Sequence, residues 1–379
     1  MKIAIDISQT AHEGTGVARY MQTMVKSLLQ YDSINSYTFF FASFRKKINE
    51  DLKKLILKKA QLKIYRIPPT TLDILWNKMH IVPIEYFVGK QDLIITSDWT
   101  EPPSKAKKIT ILHDLIVFLH SEISHDKTKV DISSLQISPN IVETQKRKLN
   151  WMSKESQMII CDSISTKNDA KKILNIPERC LRVIYPAVTV SNISDSRSNE
   201  INKKYNLSKK YILSVGKVEP RKNIKRLIEA FKKTSLSDID LVIIGNLGWE
   251  ENEIMQSTEN VKFLGYVSDE ELYSIYKKAL CFIYPSIYEG FGLPLVEAMN
   301  YGCPVGSSNT SSMKEVTEGF GLLFNPFNQD EIEITIKKLV QDNELRDKLS
   351  ILSLKRAKDF TEEKFASEWM KIFNTIEKS

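Results

Sequence analysis

The sequence predicts an α/β fold made of two doubly wound domains, and three observations carry that expectation. The chain has 379 residues, enough for two domains at roughly 100–200 residues each. Short β-branched runs at residues 2–7, 93–96, 109–112 and 158–161 alternate with helical stretches, and the rhythm restarts at 211–215. Such alternation builds parallel sheets. Between the two series, residues 189–204 (TVSNISDSRSNEINKK) hold few large apolar side chains and are rich in Ser, Asn and charge, the composition of a linker. The expected division is residues 1–190 as an N-terminal Rossmann-like domain, 191–204 as linker, 205–359 as a second Rossmann-like domain, and 360–379 as a C-terminal helix. Ligands of such sheets bind at the carboxyl ends of the strands, which places the expected site in a cleft between the domains.

The elements follow in order. A turn-rich stretch (residues 9–16) leads from the first strand into a helix at 17–29, where Val17, Tyr20, Met21, Met24, Val25 and Leu28 share one stripe. Residues 37–44 (YTFFFASF) are far short of the ~18–20 apolar residues that span a bilayer and read as a buried strand. In the second half, strands are expected at 211–215, 241–245, 261–264 and 280–284, with helices at 224–233 and 269–279. Residues 360–376 space Phe365, Trp369, Ile372, Phe373 and Ile376 as an amphipathic helix.

Composition narrows the class. With 42% hydrophobic and 27% charged residues, the chain is not disordered, collagenous or a disulfide scaffold. Cys161, Cys180, Cys281 and Cys303 show no metal-ligand spacing and read as reduced, buried thiols. Asp6 interrupts the segment where a signal peptide needs apolar residues, so a cytoplasmic location is expected. Residues 1–190 carry a net charge of +9 and the remainder −2, which points to an anionic partner for the N-terminal half. No nucleic-acid-binding module accompanies that charge.

The densest motif is Tyr284-Pro-Ser-Ile-Tyr-Glu-Gly-Phe-Gly-Leu-Pro-Leu-Val-Glu-Ala-Met299. A strand enters a glycine-bearing loop and then a helix with Pro294 near its start. Gly290 and Gly292 allow a ligand close to the backbone, and the helix N-terminus attracts an anion. Glu289 in the loop and Glu297 in the helix can accept hydrogen bonds from sugar and ribose hydroxyls. A second motif, Ser214-Val-Gly-Lys-Val-Glu-Pro-Arg-Lys-Asn-Ile224, sets Lys217, Arg221 and Lys222 between a strand and a helix, a suitable pocket for a diphosphate.

These two elements together resemble the family 4 retaining glycosyltransferases, two-domain GT-B enzymes that use nucleotide sugars. The paired glutamates match as Glu289 and Glu297, with seven residues between them, and the preceding Pro-Ser as Pro285-Ser286. The resemblance implies that Glu289 contacts hydroxyls of the donor sugar and that the backbone at Phe291, Gly292 and Leu293 approaches sugar and phosphate. It implies that Glu297 holds the ribose and that Lys217 and Lys222 bind the diphosphate, Lys217 standing where Arg is frequent. Val242-Ile-Ile-Gly245 resembles the family's central strand, and Phe263–Ser268 the segment that reads the base near Tyr266 and Val267. In the segment 308–326 Glu315 is in place. Lys314 stands there for the usual Pro, and Glu318 and Phe320 for small residues.

The N-terminal half matches more loosely. Gly14-Thr-Gly-Val-Ala-Arg-Tyr20 fails as a dinucleotide fingerprint, because Arg19 replaces its third glycine. As the family's phosphate-side loop it fits, with Gly16 facing the diphosphate and Arg19 nearby. Ile111-Leu-His-Asp-Leu115 puts His113, and less firmly Asp114, where the family has a His that reaches the donor hexose. Tyr185-Pro-Ala-Val188 lies at the hinge-side turn without the frequent Asn-Gly. The C-terminal helix is implied to cross back onto the N-terminal domain.

The resemblance implies glycosyl transfer with retention of anomeric configuration and without a metal or other cofactor; Asp238 and Asp240 read as a solvated lead-in to a strand. The signatures are most similar to those of bacterial O-antigen mannosyltransferases, which implies GDP-mannose as donor and a saccharide or lipid-linked glycan acceptor in surface-polysaccharide (lipopolysaccharide) synthesis. UDP-hexoses and UDP-N-acetylhexosamines stay open as donors, as does a catalytically silent sugar-nucleotide-binding subunit. Residues 45–66 hold nine Lys/Arg and two acids. Ile48, Leu52, Leu55 and Ile56 share one face there, either packed on the core or laid on an anionic membrane surface as a peripheral anchor on the inner face of the cytoplasmic membrane.

Overall fold

The computed structural model describes residues 1–118, 139–245 and 260–378. They fall into two compact units, and the chain passes from the first to the second between Ala187 and Val188 and returns at Thr361.

The first unit is built on a seven-stranded sheet. Its strands are β1 (Lys2–Asp6), β2 (Ser36–Ala42), β3 (Gln61–Tyr65), β4 (Leu93–Thr96), β5 (Lys107–Leu112), β6 (Met158–Cys161) and β7 (Leu181–Val183). The order is β3-β2-β1-β4-β5-β6-β7, and every pairing is parallel. Chain direction across the sheet reverses between β1 and β4, the usual place for a ligand in such a sheet. Helix α1 (Gly16–Tyr31) starts at Thr15, whose side chain accepts the Ala18 N–H at 3.2 Å. Its Tyr20, Met21, Met24, Val25 and Leu28 enter the core with Phe39, Ile95 and Ile160. The C-terminal helix, Glu362–Lys378, sends Phe365, Trp369, Phe373 and Ile376 into the same core.

Residues 45–66 are not one helix. Helix α2 covers Glu50–Lys59 and β3 follows at once as an edge strand. Asn49 caps α2, acids open it and Lys58 and Lys59 close it, a charge order that suits the helix dipole. Ile48, Leu52 and Ile56 are buried in the unit's core and Leu55 packs against it. That apolar face is therefore not available to lipid; Lys54, Leu57 and Lys58 face outward.

The second unit has six strands: β8 (Lys210–Val215), β9 (Ile239–Ile244), β10 (Val261–Gly265), β11 (Cys281–Tyr284), β12 (Val305–Ser308) and β13 (Leu322–Phe324). They run in the order β10-β9-β8-β11-β12-β13, again all parallel. The expected linker is ordered structure: Asp195–Lys204 is a helix capped by Ser194, with Ser198 and Ile201 buried. Its polar composition hid a one-sided packing contact. Asp195 pairs with Lys277 at 2.9 Å and Arg197 with Glu270 at 3.0 Å, which binds this helix to the helix Asp269–Lys278. Asp240, the second acid of the Asp-x-Asp pair, is a buried residue of β9 paired with Lys262 at 2.8 Å; it is not solvated.

Of the four cysteines, Cys161, Cys281 and Cys303 are buried and Cys180 is half-buried, all as free thiols. Among the described residues no helix is long and apolar enough to cross a membrane.

Candidate functional site

In the second unit the direction reversal lies between β8 and β11, which pair directly (Cys281 with Ile212, Phe282 with Leu213). Two loops separated by about seventy residues of sequence therefore emerge side by side at the carboxyl end of the sheet. They are laced by the Ile287 N–H donating to the Arg221 carbonyl at 2.8 Å and by the Asn223 side chain donating to the carbonyls of Pro285 (3.1 Å) and Pro326 (2.8 Å). Asn223 holds a left-handed conformation, φ 57°, and this turns the chain from Lys222 into the helix Ile224–Lys233.

Glu289 is the centre of this site. Its Oε1 accepts from Lys222 Nζ at 2.6 Å and from the Tyr284 hydroxyl at 2.9 Å, and its Oε2 from Arg221 Nη1 at 2.7 Å. Arg221 also reaches the Tyr288 carbonyl (2.9 Å) and Glu219 (2.8 Å). Burial raises the Glu289 pKa, but Arg221 and then Lys222 outweigh it and the carboxyl sits at about 2. Burial likewise lowers Lys222, with Glu289 opposing. Two half-buried cations and the Glu289 and Glu219 carboxylates thus form one cluster in which opposite charges offset one another. The sequence assigned Lys222 and Arg221 to a diphosphate and Glu289 to the sugar. The structure brings all three into direct contact with each other.

The frame around Glu289 is backbone and hydroxyl. Its N–H donates to Ser311 Oγ at 3.0 Å and its carbonyl accepts from Ser312 at 2.9 Å. Gly292, at φ 98°, caps the helix Leu293–Asn300, whose first residue, Leu293, is half-buried. Phe291 is buried edge-on against Phe360, 5.4 Å between centroids. Glu297 is 4% exposed, and its Oε2 accepts from the Tyr276 hydroxyl at 3.1 Å.

Lys217 is exposed just past β8, and Tyr266 (67% exposed) and buried Val267 follow β10 at the same end of the sheet. The ends of β8 and β9 touch at two glycines. A Cβ on Gly245, at φ 148°, would lie 2.2 Å from the Gly216 carbonyl oxygen. Tyr284, Tyr276, Ser311 and Ser312 were not singled out from the sequence. Tyr284 closes the strand of the glutamate motif and was within view; the other three come from distant elements.

In the first unit, Gly16 is the exposed first residue of α1 and Arg19 lies half-buried in its first turn. His113 follows β5 and is 8% exposed. Its Nδ1 is 2.7 Å from Asp162 Oδ2, and its Nε2 is 2.9 Å from Ser97 Oγ. Burial opposes a charged ring, yet Asp162 more than offsets this, so the His113 pKa is raised. Asp114 Oδ1 accepts the Ile116 N–H at 3.1 Å, closing the turn. Asp162 and Ser97 carried no signal in the sequence. Among the described residues no group of three or more His, Cys, Asp or Glu is placed to hold a metal ion.

Comparison with known proteins adds a family. Residues 196–355 match the model described as Glycosyl transferases group 1. The chain is 29% identical over 289 residues to O-antigen chain mannosyltransferase B of Escherichia coli, a match covering 73% of this chain and 72% of that one. It is 28% identical over 273 residues to the serotype-specific mannosyltransferase WbdA of Escherichia coli, covering 67% of this chain and 32% of WbdA, so it spans about a third of that protein. Among solved structures it resembles Anabaena HepE in complex with UDP and glucose (TM-score 0.70, 14% identity, 99% and 100% of the two chains). It also resembles sucrose-phosphate synthase from Thermosynechococcus elongatus (TM-score 0.72, 16% identity, 99% of each). The fold is the α/β GT-B fold, and the chain resembles the family 4 glycosyltransferases, O-antigen mannosyltransferases among them.

Proposed function

We propose, from the group 1 glycosyl transferase match over residues 196–355, that this chain transfers mannose from GDP-mannose to a saccharide or lipid-linked glycan acceptor in bacterial surface-polysaccharide synthesis, with retention and without a metal. The observation that carries the reading is the Arg221–Glu289–Lys222 cluster at the carboxyl-end reversal of the sheet. The relatives named as O-antigen mannosyltransferases support the sugar and the pathway class.

In this reading the bond from the anomeric carbon to the diphosphate oxygen breaks and its electron pair leaves with GDP. Lys217, Arg221, Lys222 and the N-terminus of the helix Leu293–Asn300 stabilise that departing charge in a preorganised setting. A diphosphate takes over the two half-buried cations, which releases the Glu289 oxygens to accept from sugar hydroxyls. Glu297, which accepts from Tyr276, holds the ribose. The family resemblance assigns Gly16 and Arg19 to the diphosphate and His113 to the hexose. The acceptor oxygen adds on the face the diphosphate leaves, and its proton goes to the departing diphosphate. A UDP-linked hexose or N-acetylhexosamine is the second reading, favoured by 27% identity over 226 residues to an N-acetylgalactosaminyltransferase of Campylobacter jejuni.

A thermal-shift comparison of GDP, UDP and their sugars tests the donor. A ligand at 100 times its Kd adds about 2.7 kcal/mol. A GDP-selective shift without metal, lost in Lys222→Ala and Glu297→Ala, is expected. A UDP-selective shift overturns the donor, and no shift with any nucleotide overturns the site.

A further inference from the structure

Ser97, His113 and Asp162 are each the first residue after a strand, β4, β5 and β6 respectively, and those strands are neighbours. Register pairs Thr96 with Thr110 and Leu112 with Cys161, so the three side chains meet at the carboxyl end of the sheet. His113 lies in the middle, Nδ1 toward Asp162 (2.7 Å) and Nε2 toward Ser97 (2.9 Å). The Tyr20 ring meets the imidazole edge-on at 4.9 Å, and the Thr166 hydroxyl donates to the His113 carbonyl at 3.3 Å. This is the hydrogen-bonding order of a hydrolytic triad. Ser97, however, has no exposed surface, so no carbonyl substrate can reach its oxygen. The arrangement serves orientation, not nucleophilic attack.

We propose that Asp162 is a positioning residue that acts through His113: it accepts the Nδ1–H, fixes the plane and tautomer of the ring, and so presents Nε2, held by the hydroxyl of Ser97 in the free protein, as the atom that a hydroxyl of the donor sugar takes over. This rests on the reading of His113 as a donor-hexose contact. A carboxylate only accepts, so Nδ1 carries the proton, and Nε2 accepts when the ring is neutral and donates when it is charged. An amide in place of Asp162 can donate to Nδ1 and so move the proton to Nε2. The charges facing the ring come from several elements. Asp98 follows β4 and supports the protonated ring, and Lys148 on the helix Pro139–Glu155 opposes it. Asp114 adds negative charge at Asp162, and Tyr20 on α1 stays neutral because burial drives its pKa up.

The test combines 15N NMR of the histidine rings with donor kinetics, His113 being assigned by its loss in His113→Gln. The wild-type ring is expected as the Nδ1–H tautomer. Asp162→Asn is expected to shift it to Nε2–H, to lower the pH at which the ring takes its second proton, and to cut kcat roughly tenfold to a hundredfold with a smaller change in KM. In the His113→Gln background, Asp162→Asn should add no further loss. A wild-type Nε2–H tautomer overturns the proposal whether or not any variant folds. So does an unchanged tautomer and titration in Asp162→Asn, a fully additive double mutant, or full activity in His113→Gln. Absence of sugar transfer by the wild type would instead count against the proposed function, and the tautomer would still decide the role of Asp162.

Discussion

Two polar clusters stand at the carboxyl ends of two parallel sheets, and they are built differently. In the second unit, Arg221, Lys222 and Glu289 come from two compact motifs, and their side chains neutralise one another at 2.6–2.7 Å. In the first unit, Ser97, His113 and Asp162 are single residues on three successive strand ends, joined by one ion pair and one hydroxyl contact. The first design concentrates opposite charges in one small cluster. The second keeps one ring oriented inside a buried network. A site that binds charge needs clustered residues, and sequence displays clusters; a site that aims one side chain needs only a neighbour in space.

The contrast can be broken most sharply at Glu289. Glu289→Gln removes the carboxylate shared by Arg221 and Lys222 and leaves Glu219 as the remaining counter-charge, on Arg221; transfer should fall by about a hundredfold or more while the fold loses roughly 1–3 kcal/mol, read by steady-state rates and urea unfolding. The pH dependence carries the same sign. Because Glu289 is held at about 2 against an ordinary 4.5, its contribution is fully present above pH 4.5 and is lost as pH falls toward 2. Acid unfolding of Glu289→Gln should therefore be shallower across that window, and identical acid curves would contradict the pairing.

Next in size is the contact of strand ends. Gly245→Ala forces a Cβ to within 2.2 Å of the Gly216 carbonyl and should cost about 1–3 kcal/mol and weaken nucleotide binding. Unaltered melting and Kd would show that the ends of β8 and β9 can part freely. A finer probe is Tyr276→Phe, which removes one hydrogen bond to Glu297. At about 1 kcal/mol, calorimetry should show a nucleotide Kd raised roughly fivefold, with melting little changed. The smallest effect is expected at α2. Since its apolar stripe is packed inward, Lys54→Glu with Lys58→Glu should reduce binding to anionic vesicles only modestly and in a salt-dependent way, by about 1 kcal/mol per charge. A complete loss would mean that charge alone anchors the chain.

Much of this architecture could be read from residues in order. Strands β1, β2, β4, β5, β6, β8, β9, β10 and β11 announce themselves as apolar runs, and α1 and the C-terminal helix as apolar stripes, because hydrophobic periodicity is local, whereas β3, β7, β12 and β13 do not. What escaped was set by partners far away. The helix Asp195–Lys204 looked like a linker because only Ser198 and Ile201 face inward, too few for a periodic signal. β3 was absorbed into a basic stretch because an edge strand with little burial reads like a solvated segment. At the site, the glycine loop and the basic turn were legible as motifs. Asp162, Tyr276, Ser311 and Ser312 act through hydrogen bonds across 21 to 49 residues of chain, and no spacing rule reaches that far.

The central claim is sugar transfer from a nucleotide donor at the Glu289 cluster. The most direct measurement is release of GDP from GDP-mannose by the purified chain, with and without a glycan acceptor, beside Glu289→Gln and in the presence of a metal chelator. The account predicts GDP release that the acceptor stimulates, the chelator leaves unchanged and the variant loses. No release from GDP-mannose or from any UDP-sugar, with the protein folded, would contradict it.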